Sequence, residues 1–136
     1  MNLSPEIWGP HAWFFIDSVI MAYPNNPNNN DKQRINQFLN LLQYMLPCEK
    51  CRYNYSQHLS EYPLTDEILS NKDNLLKWVI NIHNLSNNNN LNINTVLDYY
   101  NNQYSNNKPK TNNNNLYIIV IILSIIIAYY VLKKKN

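Results

Sequence analysis

A chain of 136 residues holds one domain with a short appendage, because a typical domain takes roughly 100–150 residues; a second core is excluded. The formal charge of +2 is unevenly spread: Lys108, Lys110, Lys133, Lys134 and Lys135 flank one apolar stretch, while residues 1–107 carry six basic against nine acidic side chains, which excludes the clustered cations of a nucleic-acid surface. Two cysteines exclude a disulfide-framework scaffold, and the opening MNLSPEIWGP, without a charged start or an apolar run, does not read as a secretory signal.

The first helix is predicted from near Pro5 to Ala22, where Pro24 stops it, with Ile7, Trp8, Ala12, Phe15, Ile16 and Val19 inward. Asparagine supplies 28 residues and glycine one, and the runs at 25–30, 87–90 and 112–115 read as polar loops. KQRINQFLNLLQYML puts Ile35, Phe38, Leu39, Leu42, Met45 and Leu46 at spacings of three and four, the stripe of an amphipathic helix. LPCEKC opens a third helix. NLLKWVINIHNL turns Leu75, Trp78, Val79 and Ile82 inward on a fourth, and LNINTVLDYYNNQY forms a short last helix capped by Asn94. No strand pair with a turn between its members appears, and no internal repeat. Residues 1–105 therefore read as one all-α domain, a small helical bundle.

Beyond it, residues 106–115 form an Asn-rich linker. LYIIVIILSIIIAYYVL, residues 116–132, carries one small polar residue, Ser124. Its seventeen residues span roughly 25 Å as a helix, enough to cross a thin membrane. Tyr117, Tyr129 and Tyr130 stand at belt positions and lysines at both ends, the tail being 133–136. A core helix would not be ringed by lysines. The flanking charges nearly cancel as orientation signals. A tail-anchored arrangement, with residues 1–107 in the cytosol at an internal host membrane or virion membrane, asks only a three-lysine tail to cross.

Cys48 and Cys51 could bind a metal, form a local staple or do redox chemistry. Cys-x2-Cys-x6-His-x24-His matches no zinc pattern among His11, His58 and His83, so no metal is expected. A thioredoxin-like reading wants a βαβ setting, and these surroundings are helical. The remaining redox option is a dithiol that passes electrons to a cofactor. Pro47 suits a helix's first turn, which puts both cysteines on one face near backbone N–H groups that favour a thiolate.

WGPHAWFFIDSVIMAYP (8–24), LPCEKC (46–51) and WVINIHNLSN (78–87) occur in this order. Together they resemble the flavin-linked sulfhydryl oxidases of the Erv/ALR family, especially the short forms of large DNA viruses. The resemblance implies a four-helix bundle with a short fifth helix across it, a homodimer, and FAD between the helices. It implies that Cys51 lies against the flavin and Cys48 receives the substrate thiolate, with dioxygen as acceptor and peroxide as product. It carries Trp8, Trp13, Tyr23, Cys51, Trp78, His83, Asn84 and Asn87 over as cofactor contacts. Its clients would be protein thiols or a small dithiol carrier reaching Cys48 directly, since no third cysteine exists. Many members have a histidine four residues after the first-helix tryptophan, where this chain has Asp17, and no lysine matches the family's contact to the phosphates. The competing reading is a catalytically silent membrane adaptor whose Cys-x-x-Cys is structural or metal-binding.

Overall fold

The computed structural model describes residues 3–106, 118–125 and 132–133. The chain divides into two compact units, Met1–Asn102 and Gln103–Asn136. The first contains helices α1 (Pro5–Met21), α2 (Asn29–Met45), α3 (Glu49–Glu61) and α4 (Lys72–Asn87), a 3-10 turn at Ile68–Ser70, and most of α5 (Ile93–Asn106). Among the described residues there is no strand, as the helical periodicity requires. The 3-10 turn is an addition to the expected elements.

Asparagine explains many of the helix ends. Asn28 accepts from the N–H groups of Asn30 and Asp31 while Asp31 reaches back to the Asn28 N–H, a complete capping box. Asn71 caps α4 through the Asn74 N–H, and Asn92, not the expected Asn94, caps α5 through the Thr95 N–H. At the end of α4, Asn88 takes the left-handed conformation, φ 53° and ψ 40°, that a chain with one glycine leaves to asparagine. The runs read as plain loops thus also contain the residues that start and stop helices.

α4 is the central element. Leu75, Leu76, Trp78, Val79, Ile80 and Ile82 are all buried on it, an apolar surface wide enough to meet both α1 and α3, which pack against it. The four residues expected inward here are all in the core. On α2, Ile35 and Leu39 are buried, but Met45 is 72% exposed. α1 departs further. Ile7 and Phe15, expected inward, are 73% and 60% exposed, while Ile16, Asp17 and Ile20 are buried. Ile16 is in the core as expected and Trp8, Ala12 and Val19 are half-buried; the two misses flank an inner face that includes Asp17, whose carboxylate breaks the apolar period.

Three long-range bonds tie side chains to carbonyls. The Tyr23 hydroxyl donates to Leu69 O at 2.9 Å, the Tyr55 hydroxyl to Leu39 O at 3.0 Å, and Trp78 Nε1 to Tyr62 O at 2.9 Å. Tyr55 is 4% exposed, so Tyr55→Phe deprives the Leu39 carbonyl of this donor. Such a change is expected to destabilise by roughly 1–2 kcal/mol, read as a lower urea midpoint with an unchanged slope.

In the second unit, residues 118–125 are helical and their apolar side chains are exposed. Of the 116–132 stretch expected as a membrane span, residues 116–117 and 126–131 lie outside the described residues. Among the described residues no helix is long and apolar enough to cross a membrane.

Candidate active site

Cys48 and Cys51 form a disulfide at the start of α3, their Cα atoms 5.1 Å apart. Pro47 falls before the helix rather than in its first turn, because Cys48 is itself the N-cap: its Sγ accepts the Cys51 N–H at 3.1 Å. The guanidinium of Arg52 donates to Leu46 O at 2.6 Å. That bond satisfies a carbonyl at the end of α2 and fastens the turn that presents the sulfurs.

Two cavities adjoin. One, of about 130 Å³, is lined by Cys51 together with Trp8, Ala12, Ile16, Leu42, Leu46 and Tyr55, among others. The larger, of about 570 Å³, is walled by α1, α4 and α5 and falls within the roughly 300–1,000 Å³ of cofactor sites. Pro5, Gly9, Trp13 and Asn87 line both. Cys48 lines neither, so one sulfur faces the small cavity and the other does not.

Gly9 has a double role in the shared wall. Apart from its chain neighbours, a Cβ there would meet nothing within 4 Å and would project into open space. It also precedes Pro10 inside α1, where a Cβ would press on the proline ring in a helical conformation.

Of the expected contacts, Trp13 and Asn87 line both cavities, Trp8 and Cys51 the smaller, and His83 the larger. Tyr23, Trp78 and Asn84 line neither. Tyr23 and Trp78 are core residues, their polar atoms occupied by Leu69 O and Tyr62 O. Asn84 spends its amide on Leu91, donating to its O at 3.0 Å and accepting its N–H at 2.8 Å. It positions the loop into α5 instead of facing the cleft. The motif reading stopped at residue 87 and so missed Thr95, Val96, Tyr99 and Tyr100, which α5 brings to the larger cavity. The spacing of Pro5, Gly9, Trp13 and Asp17, each four residues on, was the sequence signal for one lined helix face.

The electrostatics of the larger cavity centre on Asp17, 1% exposed, which accepts the Tyr100 hydroxyl on Oδ2 at 2.9 Å. Its Oδ1 and the Nδ1 of His83 are buried without a hydrogen-bond partner. Burial pushes Asp17 up to about 6, partly opposed by Tyr100, and pushes His83 down to about 4. Asp17 Oδ2 and His83 Nδ1 are 3.8 Å apart, too far for a hydrogen bond. With His83 neutral near pH 7, they are not an ion pair. The His83 ring stacks on Trp13, centroids 4.0 Å apart and planes within 5°, leaving no slot between them.

A helical bundle whose Cys-x-x-Cys disulfide puts Cys51 in the wall of a small cavity adjoining a cofactor-sized cleft defines a class of helical redox protein. Residues 10–105 match the Erv1 / Alr family, and the chain belongs to it. It is 53% identical over 85 residues to a protein of Acanthamoeba polyphaga mimivirus named "Probable FAD-linked sulfhydryl oxidase", covering 62% of this chain and 59% of that one. It is 30% identical over 82 residues to an FAD-linked sulfhydryl oxidase of African swine fever virus, covering 60% and 66%, and 28% identical over 82 residues to the mitochondrial FAD-linked sulfhydryl oxidase of Saccharomyces cerevisiae, covering 60% and 42%. The matched part spans less than two thirds of each relative's own length.

Proposed function

We propose that this protein is an FAD-dependent thiol oxidase that makes disulfides in partner proteins. The observation that carries the reading is the division of labour at the Cys pair: Cys51 lines a cavity continuous in its wall with a dinucleotide-sized cleft, and Cys48 does not. The lining fits such a group, with aromatic faces at Trp8, Trp13 and Tyr99, an open wall at Gly9, and buried polar atoms still lacking partners. Trp8, Trp13, Cys51, His83 and Asn87 would hold it.

A substrate thiolate attacks Cys48 Sγ, forming a mixed disulfide and releasing Cys51 as a thiolate at the third position of α3, where the helix dipole stabilises it. The substrate's second thiolate then attacks its own sulfur in the mixed disulfide. Substrate leaves as a disulfide, and Cys48 departs as a thiolate that accepts the Cys51 N–H, the bond already present at 3.1 Å. The pair now holds two electrons on the cavity side. Bound FAD supplies a two-electron acceptor that dioxygen reoxidises, yielding hydrogen peroxide.

The same proposal includes a membrane anchor at residues 116–132, with the catalytic unit on the cytosolic side of a host internal or virion membrane, and a homodimer. Ile7 and Phe15 on α1 and Leu41, Tyr44 and Met45 on α2 are exposed, apolar surface suited to covering by a second copy. The test is the visible spectrum of the purified full chain in detergent, before and after a dithiol is added in air. A flavin spectrum that bleaches once oxygen is exhausted is the expected result. A colourless folded protein would sink the reading in favour of the silent adaptor.

A further inference from the structure

The larger cavity contains an acceptor without a donor. Asp17 is the one buried charged side chain among the described residues, and it lines this cavity with Oδ1 unpartnered. A carboxylate is acceptor-only when ionised, and an unsatisfied buried acceptor is strongly unfavourable. The Tyr100 hydroxyl fixes the other oxygen, so the carboxylate is held in place instead of turning to find its own partner. A hydrogen-bond donor on a bound ligand would complete it.

The ligand's own chemistry narrows that donor, given the reading that the cleft takes FAD. Its flavin end belongs beside Cys51 in the smaller cavity, which leaves the adenosine end for the larger one. Phosphates are excluded from the neighbourhood of Asp17 by charge, and Glu6 lines the same cavity. Among the described residues no Lys or Arg lines either cavity. Ribose hydroxyls are donors, but they sit next to the phosphates. The exocyclic amine of adenine is a donor at the opposite end of the base, and flat aromatic surface surrounds Asp17 at Trp13, His83 and Tyr100. Because Trp13 and His83 are stacked on each other, the base lies alongside the pair.

We propose that Asp17 accepts a hydrogen bond from the exocyclic amine of the bound adenine and makes the cleft selective for a 6-aminopurine over a 6-oxopurine. His83 complements it: with its proton on Nδ1, the neutral imidazole donates to the adjacent ring nitrogen of the base. A donor beside an acceptor is what adenine offers on that edge, and hypoxanthine reverses both.

The experiment strips flavin from the full chain in detergent and titrates it with FAD and with its deaminated analogue, flavin hypoxanthine dinucleotide, following flavin fluorescence. FAD is expected to bind roughly 10–100-fold more tightly, because the analogue sets a carbonyl oxygen against a buried carboxylate. Asp17→Asn, which can turn an amide N–H toward a carbonyl, is expected to reduce that ratio to below about threefold while melting with the same cooperativity. Equal binding of the two dinucleotides by the unaltered chain would overturn the assignment and leave the oxidase reading intact. Failure to bind FAD at all would overturn both. A ratio that survives Asp17→Asn would also overturn it, placing the selectivity elsewhere.

Discussion

Cys48→Ser and Cys51→Ser are each expected to abolish dithiol oxidation, by roughly 10³-fold or more, since removal of a nucleophile from a unit that acts together removes nearly all of its catalysis. The two variants should differ in everything else. Cys48 lines neither cavity, so Cys48→Ser should retain flavin at the stoichiometry of the unaltered protein, with an added long-wavelength absorbance because the broken disulfide leaves Cys51 as a thiolate beside the ring. Cys51 is part of the small cavity's wall, so Cys51→Ser should retain flavin but shift its visible bands, because a polarizable sulfur beside the ring has become a hydroxyl. Flavin content per chain, absorbance and oxygen uptake measured on the same samples decide the matter. Loss of flavin from Cys48→Ser, or the long-wavelength band in Cys51→Ser and not in Cys48→Ser, would reverse the roles assigned to the two sulfurs.

The flavin-free protein should show little change in stability between about pH 4 and 6 from the pair Asp17 and His83, and a steep dependence once either is replaced. Burial raises Asp17 from 3.8 to about 6, so the folded state binds this proton more tightly than the unfolded state does. Its contribution to stability therefore falls as pH rises from about 4 through 6. Burial lowers His83 from 6.5 to about 4, so the unfolded state binds that proton more tightly, and stability falls as pH drops across nearly the same interval. Near pH 5 the folded chain carries a proton on Asp17 and the unfolded chain carries one on His83. Unfolding moves the proton without net uptake, and the slope cancels. Asp17→Asn leaves His83 uncompensated: its stability should rise with pH by up to about 1.4 kcal/mol per unit. His83→Gln leaves Asp17 uncompensated and should give the opposite sign. Urea midpoints of the three proteins across this interval check it, since other titrating groups are common to all. Parallel curves would show that the two side chains titrate alike in folded and unfolded chains.

Periodicity made the helices legible where one face is uniformly apolar. α4 was placed with its four inward residues correct because nothing charged interrupts its stripe. On α1 the periodicity placed Ile16, Trp8, Ala12 and Val19 on the buried side but missed Asp17 there and put Ile7 and Phe15 inward, where they are exposed. Helix ends were less legible: asparagine is so common here that composition hid its work as the caps Asn28, Asn71 and Asn92 and as the left-handed Asn88.

The candidate site divides along the same line. The spacing of the two cysteines, the tryptophans, and His83 with Asn87 is local information, written into consecutive turns, and the sequence by itself determined the class of chemistry they point to. Which of those residues face the cleft depends on how helices far apart in the chain pack. Only the tertiary structure decided that Cys51 rather than Cys48 lines the cavity, that Tyr23, Trp78 and Asn84 spend their polar atoms on Leu69, Tyr62 and Leu91, and that Tyr100 reaches Asp17 across 83 residues of sequence. Local spacing is set by the helix repeat, but burial and partnership are set by the contacts that folding brings together from a distance.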